Sequence, residues 1–247
     1  MSTAYQKGEL IYEGKGKKVF QIKDENNFIW IDFKDSLTAF NAQKKGSFES
    51  KGAINRDIAS MVFRYLKKNN IDSHWVADVG VNSMICEKLQ MIPLEVVVRN
   101  VVAGSFAKKF GLEEGIEIPN PIAEFYYKKD ELNDPFISDD QALYLMAARS
   151  QHELDSLKKM GLLVNVQLKN LFAKLELRLV DFKLEFGFNY NKKICLGDEI
   201  TPDSCRLWDL KTNEKFDKDR FRRDLGGVSE AYQEVLNRMR RMWGSEL

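Results

Sequence analysis

Residues 179–187, LVDFKLEFG, carry Asp181, Lys183 and Glu185 at alternate positions, interleaved with Val180, Phe182, Leu184 and Phe186. In a β-strand this alternation places the three charged side chains in one row, roughly 6.5–7 Å apart, and the apolar ones on the opposite face. Such a row can converge on a small anionic ligand or a metal ion. The same alternation also describes the water-facing side of an antiparallel strand. The segment LGDEITPDSCRLWD (196–209) bears on the choice, because it gathers Asp198, Glu199, Asp203 and Arg206 within nine residues after an apolar run. If the two strands form a hairpin through FNYNKK, Glu185 and Asp198 come near each other. Paired carboxylates of that kind hold Mg²⁺ against nucleotide phosphates. Lys183 would then temper their mutual repulsion.

Two further stretches fit anion chemistry. GKGKK (14–18) puts two glycines and three lysines in a turn, where bare backbone and ammonium groups can approach phosphate. It lacks the spacing of a Walker loop, and a solvated lysine-rich turn is its other reading. EVVVRNVVAGS (95–105) sets Arg99 on a valine-rich strand followed by Gly104 and Ser105 at an expected helix start. A guanidinium fork beside helix N–H groups suits phosphate or carboxylate, although an edge-strand arginine paired with a surface acid would look the same. His74 and His152 are the only imidazoles, and both read as structural or surface groups. Neither Ser-His-Asp nor Cys-His chemistry has local support.

The elements that must position these residues are legible from periodicity. LIYEG (10–14), KVFQI (18–22) and FIWIDF (28–33) read as an antiparallel sheet, and 51–69 as a helix covering it through Ile54, Ile58, Met61, Val62, Tyr65 and Leu66. SMICEKL (83–89) and PLEVVVRNVV (93–102) are strand-like. The joining segment QMIP (90–93) carries Pro93, the only proline before residue 119, and we place a domain boundary near it, giving residues 1–90 and 91–247. A short helix at 104–111 closed by Gly111, a strand at 122–128, helices from DDQALYLMAAR and 151–176, and a terminal amphipathic helix at 228–243 complete the pattern.

Composition narrows the classes. With 38 Lys plus Arg against 37 Asp plus Glu, the chain has no global pull toward nucleic acid or anionic membrane, so any anion site must be local. The three arginines of RMRRMW (238–243) read as a solvated helix face. No stretch approaches a membrane span and the N-terminus has no signal-like apolar run, which makes a cytoplasmic protein the expectation. Three cysteines without CxxC spacing argue against disulfide frameworks and zinc, leaving a hard metal on carboxylates as the open possibility.

YEGKGKKVF, KKGSFESKGAIN, PLEVVVRNVVAGS, EFYYKKDELNDP, LVDFKLEFG and GDEITPDSCRLWD occur in the order seen in the SAICAR synthetase family, and the chain resembles that family over nearly its whole length. The resemblance implies an α+β fold in two lobes. An antiparallel N-terminal sheet lobe is joined to a larger C-terminal α+β lobe, with a nucleotide cleft between them. It further implies an ATP-dependent ligase of purine biosynthesis that condenses carboxyaminoimidazole ribotide (CAIR) with L-aspartate, releasing ADP and phosphate. By the same resemblance Lys15 and Lys17 contact nucleotide phosphate, and Glu87 to Met91 form the adenine-binding connection. Glu185 and Asp198 bind Mg²⁺, with Asp181 and Lys183 beside them in the active site. Arg99, Ser105 and Arg206 take the ribotide, its phosphate in particular, and Lys128 borders it. Gly16 departs from the family's common Ala. A homodimer is implied as well. Two rivals share the nucleotide chemistry: a small-molecule kinase, and a module that binds nucleotide without turnover.

Overall fold

The computed structural model describes residues 5–39 and 43–246, with side chains to residue 243. These residues cluster into two compact units, the first within 1–90 together with Gly187–Gly197, the second Met91–Phe186 together with the chain from Asp198 onward. The first boundary falls beside Pro93. The return of 187–197 to the first unit departs from the continuous second domain of 91–247.

In the first unit, β1 (Lys7–Glu13), β2 (Lys17–Ile22) and β3 (Glu25–Phe33) form the expected antiparallel run. A small hairpin of β4 (Ser36–Ala39) and β5 (Lys44–Ser47) follows, too short to carry a clear alternating pattern. The helix α1 (Lys51–Lys68) buries Ile54, Ile58, Val62 and Leu66 against the sheet, joined by Ala59 and Phe63, while Met61 and Tyr65 are half-buried. Next come β6 (Trp75–Val79) and β7 (Ser83–Glu87), completing a five-stranded sheet of order β1-β2-β3-β7-β6 among the described residues. His74 is buried, packed edge-on against Phe63 at 5.6 Å, a structural histidine as expected.

The second unit is built on β8 (Gln90–Val101), which leads into the short helix α2 (Gly104–Phe110), ended by Gly111 in the left-handed region. Then β9 (Glu117–Tyr127) pairs with β8 and β10 (Phe136–Ile137) pairs with β9, both antiparallel. The helix α3 (Asp139–Tyr144) starts from a Ser138–Gln141 capping box and stops sooner than its sequence suggests, with Met146 at φ +52°. The long helix α4 (Gln151–Lys174) buries Leu154, Leu157, Val164, Leu168 and Leu171. Gly161 keeps this stripe continuous, because a Cβ there would lie 3.1 Å from Val96 and 3.3 Å from Val98.

β11 (Leu177–Phe188) sits beside β8, turns through 189–193 into β12 (Ile194–Gly197), and also pairs with β13 (Cys205–Asp209). The turn closes with Asn189 N–H donating to Lys193 O at 3.0 Å. A single helical turn, α5 (Asp219–Arg222), precedes α6 (Val228–Glu246), which buries Ala231, Tyr232, Val235, Leu236 and Met239 at helical spacing. Arg238 is not a solvated face residue. It is half-buried and pairs with Asp209 at 3.1 Å and Glu234 at 2.9 Å.

Candidate active site

On β11 the apolar side chains of Val180, Phe182, Leu184 and Phe186 are each no more than 1% exposed, as the alternation requires. On the other face Lys183 is half-buried, but the two carboxylates are withdrawn from solvent. Asp181 and Glu185 are 4% and 3% exposed, so the water-facing reading fails, and both carboxylates must be compensated inside the protein. The structure compensates them separately, dividing the expected single row in two.

Asp181 anchors the first cluster. A register irregularity between Leu179 and Asp181 re-aims it, so that Asp181 pairs directly with Arg206 of β13. Arg206 Nη1 donates to both Asp181 oxygens at 2.9 and 2.8 Å, and Arg99 Nη1 donates to Oδ2 at 3.0 Å. Arg99 Nε donates to Glu124 at 2.5 Å and its Nη2 to the Tyr126 hydroxyl at 2.9 Å, with Ser105 Oγ at 3.4 Å. Arg206 Nε donates to Asp219 at 2.8 Å. Arg99, Ser105, Asp181 and Arg206 are therefore brought together. Because β8 lies between β9 and β11, Arg99 is not an edge-strand arginine.

Burial opposes the charge on both arginines. The facing carboxylates outweigh it, Asp181 chiefly, so both guanidinium pKa values rise above their ordinary value. Asp219 is held low, at about 2: burial works against its ionised form, but Arg206 and then Arg222 prevail. Gly104 has φ +56°, and a Cβ there would stand 2.5 Å from Arg206 Nη2, so this close backbone approach needs glycine. Arg206 Nη2 donates none of the described hydrogen bonds and thus faces α2 with donors to spare.

Glu185 anchors the second cluster. Lys128, just past β9, pairs with it, and Lys183 lies 3.7 Å away while pairing with Glu95 at 2.5 Å. Burial first, and then the charge of Asp198, push the Glu185 carboxyl up, while Lys183 and Lys128 pull it back. Lys183 is raised despite its desolvation, because Glu95, Glu185 and Asp198 all surround it, and it stays cationic. It is no proton acceptor at neutral pH. Asp198 holds its place in the left-handed region, at φ +56°, a conformation that Asp tolerates better than most residues. A buried carboxyl pushed up in part by the charge of a second carboxylate fits a divalent cation, which would relieve that repulsion. Among the described residues no group of three or more His, Cys, Asp and Glu converges. A cation here would have Glu185 and Asp198 as its protein ligands, with the remaining positions left to water and phosphate oxygens, a habit of Mg²⁺.

The remaining candidates lie elsewhere. Lys15 and Lys17 sit in and beside the β1–β2 turn of the first unit, closed by Gly14 N–H donating to Lys17 O at 2.9 Å; Ser36 Oγ donates to Lys15 O at 2.7 Å. Lys17 Nζ stands 5.9 Å from the Phe33 ring centre. At Gly16 a Cβ would meet nothing within 4 Å and the φ is not positive, so the family's alanine would fit. Glu87 ends β7 and accepts from Asn189 at 3.3 Å. Met91 on β8 is 42% exposed.

Sequence reasoning missed Glu95, Glu124, Tyr126, Asp217 and Asp219. Alternation along EVVVR puts Glu95 on the face of Arg99, and Glu124 and Tyr126 alternate in the same way on the partner strand, so these three were recoverable. Asp203 turns out to accept from the Tyr232 hydroxyl at 2.8 Å, tying α6 down.

The SAICAR synthetase family model matches residues 10–239. A phosphoribosylaminoimidazole-succinocarboxamide synthase of Halalkalibacterium halodurans is 47% identical over 234 residues, covering 95% of this chain and 98% of the relative. Among solved structures, a SAICAR synthetase in complex with ADP aligns with TM-score 0.89 at 47% identity, covering 92% of this chain and 96% of that one. The corresponding synthase of Ehrlichia chaffeensis gives TM-score 0.90 at 40% identity, over 94% and 98% of the two chains.

Proposed function

This chain belongs to the SAICAR synthetase family and is an ATP-dependent ligase of purine biosynthesis, and from that premise we propose that it joins the carboxylate of CAIR to the amine of L-aspartate, forming SAICAR, ADP and phosphate. A carboxylate is a poor acyl donor, since its leaving group would be oxide. Transfer of the terminal phosphoryl group of ATP to that oxygen gives an acyl phosphate, and attack by the amine then expels phosphate. The nucleotide in the related ADP complex supports ATP as the co-substrate.

The observation that carries this reading is the pair of charge clusters along β11, one suited to an anion and one to a cation. Arg99, Ser105 and Arg206 take the ribotide phosphate, and Asp181 holds the two guanidiniums for it. Lys128 borders the ribotide. Lys183 stays cationic and offsets the charge that moves during phosphoryl transfer. Glu185 and Asp198 hold Mg²⁺, which when bound neutralises the nucleotide phosphates. Lys15 and Lys17 contact those phosphates, and Glu87 to Met91 receive the adenine. We assign the nucleotide mainly to the first unit, and the ribotide and metal to the second. A homodimer and a cytoplasmic location belong to the same reading and rest on family membership; no helix among the described residues is long and apolar enough to cross a membrane.

Incubation with ATP, Mg²⁺ and CAIR, with and without L-aspartate, followed by product identification by mass, tests the proposal. ADP release should require CAIR, and one amide should form per ADP only when aspartate is present. A phosphorylated hydroxyl product, or sustained amide formation without ATP, would overturn it.

A further inference from the structure

Arg206 is only as well placed as the backbone that carries it and the carboxylate that receives it. The N–H of Leu207, the next residue in the chain, donates to Asp217 Oδ2 at 2.8 Å. The N–H of Asp219, the carboxylate that accepts Arg206 Nε, donates to Asp217 Oδ1 at 2.7 Å. One carboxylate therefore bridges the backbones of both members of the Arg206–Asp219 pair. Phe216 N–H donating to Leu207 O at 2.8 Å registers the same segment on β13. Asp217 and Asp219 are 0% and 1% exposed, so neither is open to solvent.

We infer that Asp217 is a positioning residue, fixing the Arg206 guanidinium against Gly104 for anion recognition without touching the ligand; the inference rests on the assignment of Arg206 to the ribotide phosphate. A buried carboxyl is costly, and packing alone would be served by an apolar side chain. What a carboxylate offers is two acceptor oxygens for two N–H groups. An amide of the same shape has one acceptor and would turn its NH₂ toward the second donor. The tolerance is narrow, because Arg206 Nη2 lies close enough to Gly104 to exclude a Cβ.

The test is steady-state kinetics of Asp217→Asn with CAIR, ATP and aspartate each varied, beside a thermal melt. A displaced ligand arm should raise KM for CAIR roughly ten- to a hundredfold while kcat and KM for ATP stay within about twofold. Unchanged KM for CAIR in the folded variant, or equal losses in every parameter, would overturn the inference. If Asp217→Asn does not fold, Asp219→Asn carries the same test through the other member of the pair, and the same split is expected; its absence is fatal. Arg206→Lys measured in parallel separates the two levels. If it leaves KM for CAIR unchanged, the site assignment itself is wrong and the inference goes with it. If it raises KM for CAIR while the aspartate variants do not, the inference alone is wrong.

Discussion

Asp181 and Arg206 face each other across an antiparallel strand pair, and a single guanidinium nitrogen of Arg206 meets both Asp181 oxygens, at 2.9 and 2.8 Å. Since Asp181 also receives Arg99, the charges alternate in a line from Glu124 through Arg99, Asp181 and Arg206 to Asp219. A buried network of this kind is a weak source of net stability, because desolvation cancels much of the attraction. Its value lies in holding two guanidiniums at fixed orientations beside α2, where Ser105 and Gly104 lie.

Arg206→Lys tests that geometry apart from charge. Lysine keeps the positive charge but cannot serve Asp181 and Asp219 with a planar fork. Losing a charge-assisted hydrogen bond costs about 1.5–3 kcal/mol, which at about 1.4 kcal/mol per decade weakens CAIR binding roughly ten- to a hundredfold. ATP affinity should change much less. Calorimetric titration with each ligand separately checks this, and equal weakening toward both would move Arg206 to the nucleotide end.

Gly104→Ala attacks the same corner from the backbone. The left-handed conformation costs a non-glycine residue about 1–2 kcal/mol. The added Cβ, 2.5 Å from Arg206 Nη2, must in addition push the guanidinium aside. The expected outcome is a modest fall in melting temperature with a disproportionate loss of CAIR affinity. A melting change with unaltered CAIR binding would show that Arg206 swings away without consequence.

The sequence discloses unevenly. Periodicity is local, so the strand at 179–187, the α4 stripe and the hairpin that approximates Glu185 and Asp198 could be read from residue spacing. What each charge pairs with depends on strand order and register, which are long-range. Alternation alone left Asp181, Lys183 and Glu185 as one row, and only the pairing of β11 with β13 and the neighbouring β8 splits them between two clusters. Asp217 and Asp219 carried no signal at all, because a buried carboxylate accepting backbone N–H groups looks in sequence like any loop acid.

Glu185→Gln addresses the metal. The amide keeps the shape and removes a charged oxygen, so turnover at limiting Mg²⁺ should fall by roughly a hundredfold or more, since even groups one step removed from a metal cost ten- to a hundredfold. The fold should persist, because the repulsion between Glu185 and Asp198 is relieved. Turnover titrated against Mg²⁺, with circular dichroism as the control for folding, is the measurement. Normal turnover at limiting Mg²⁺ in a folded variant would remove Glu185 from the ligand set.

Two neighbouring aspartates should bend the stability curve in opposite directions. Burial, reinforced by the charge of Asp219, pushes the Asp217 carboxyl up to about 7, above the ordinary aspartate value of 3.8, although two backbone N–H donors and Arg206 oppose the rise. A group whose folded pKa is raised contributes stability that is fully present below its unfolded pKa and is lost as pH climbs through the folded one. The stability advantage of the natural protein over Asp217→Asn should therefore shrink between pH 4 and about pH 7, by at most about 1.4 kcal/mol per pH unit. Asp219 is the reverse. Its burial is outweighed by Arg206 and Arg222, which hold it at about 2, so its contribution is present above 3.8 and fades as pH falls through 2. The advantage over Asp219→Asn should be flat from pH 5 to 8 and shrink only below about pH 4. Urea unfolding of the three proteins across pH 2.5–8 reads both curves. An Asp217 difference that stays constant from pH 5 to 8 would mean that its two N–H donors keep it ionised throughout, and that the buried charge is stabilised by the backbone of Leu207 and Asp219 more strongly than desolvation penalises it.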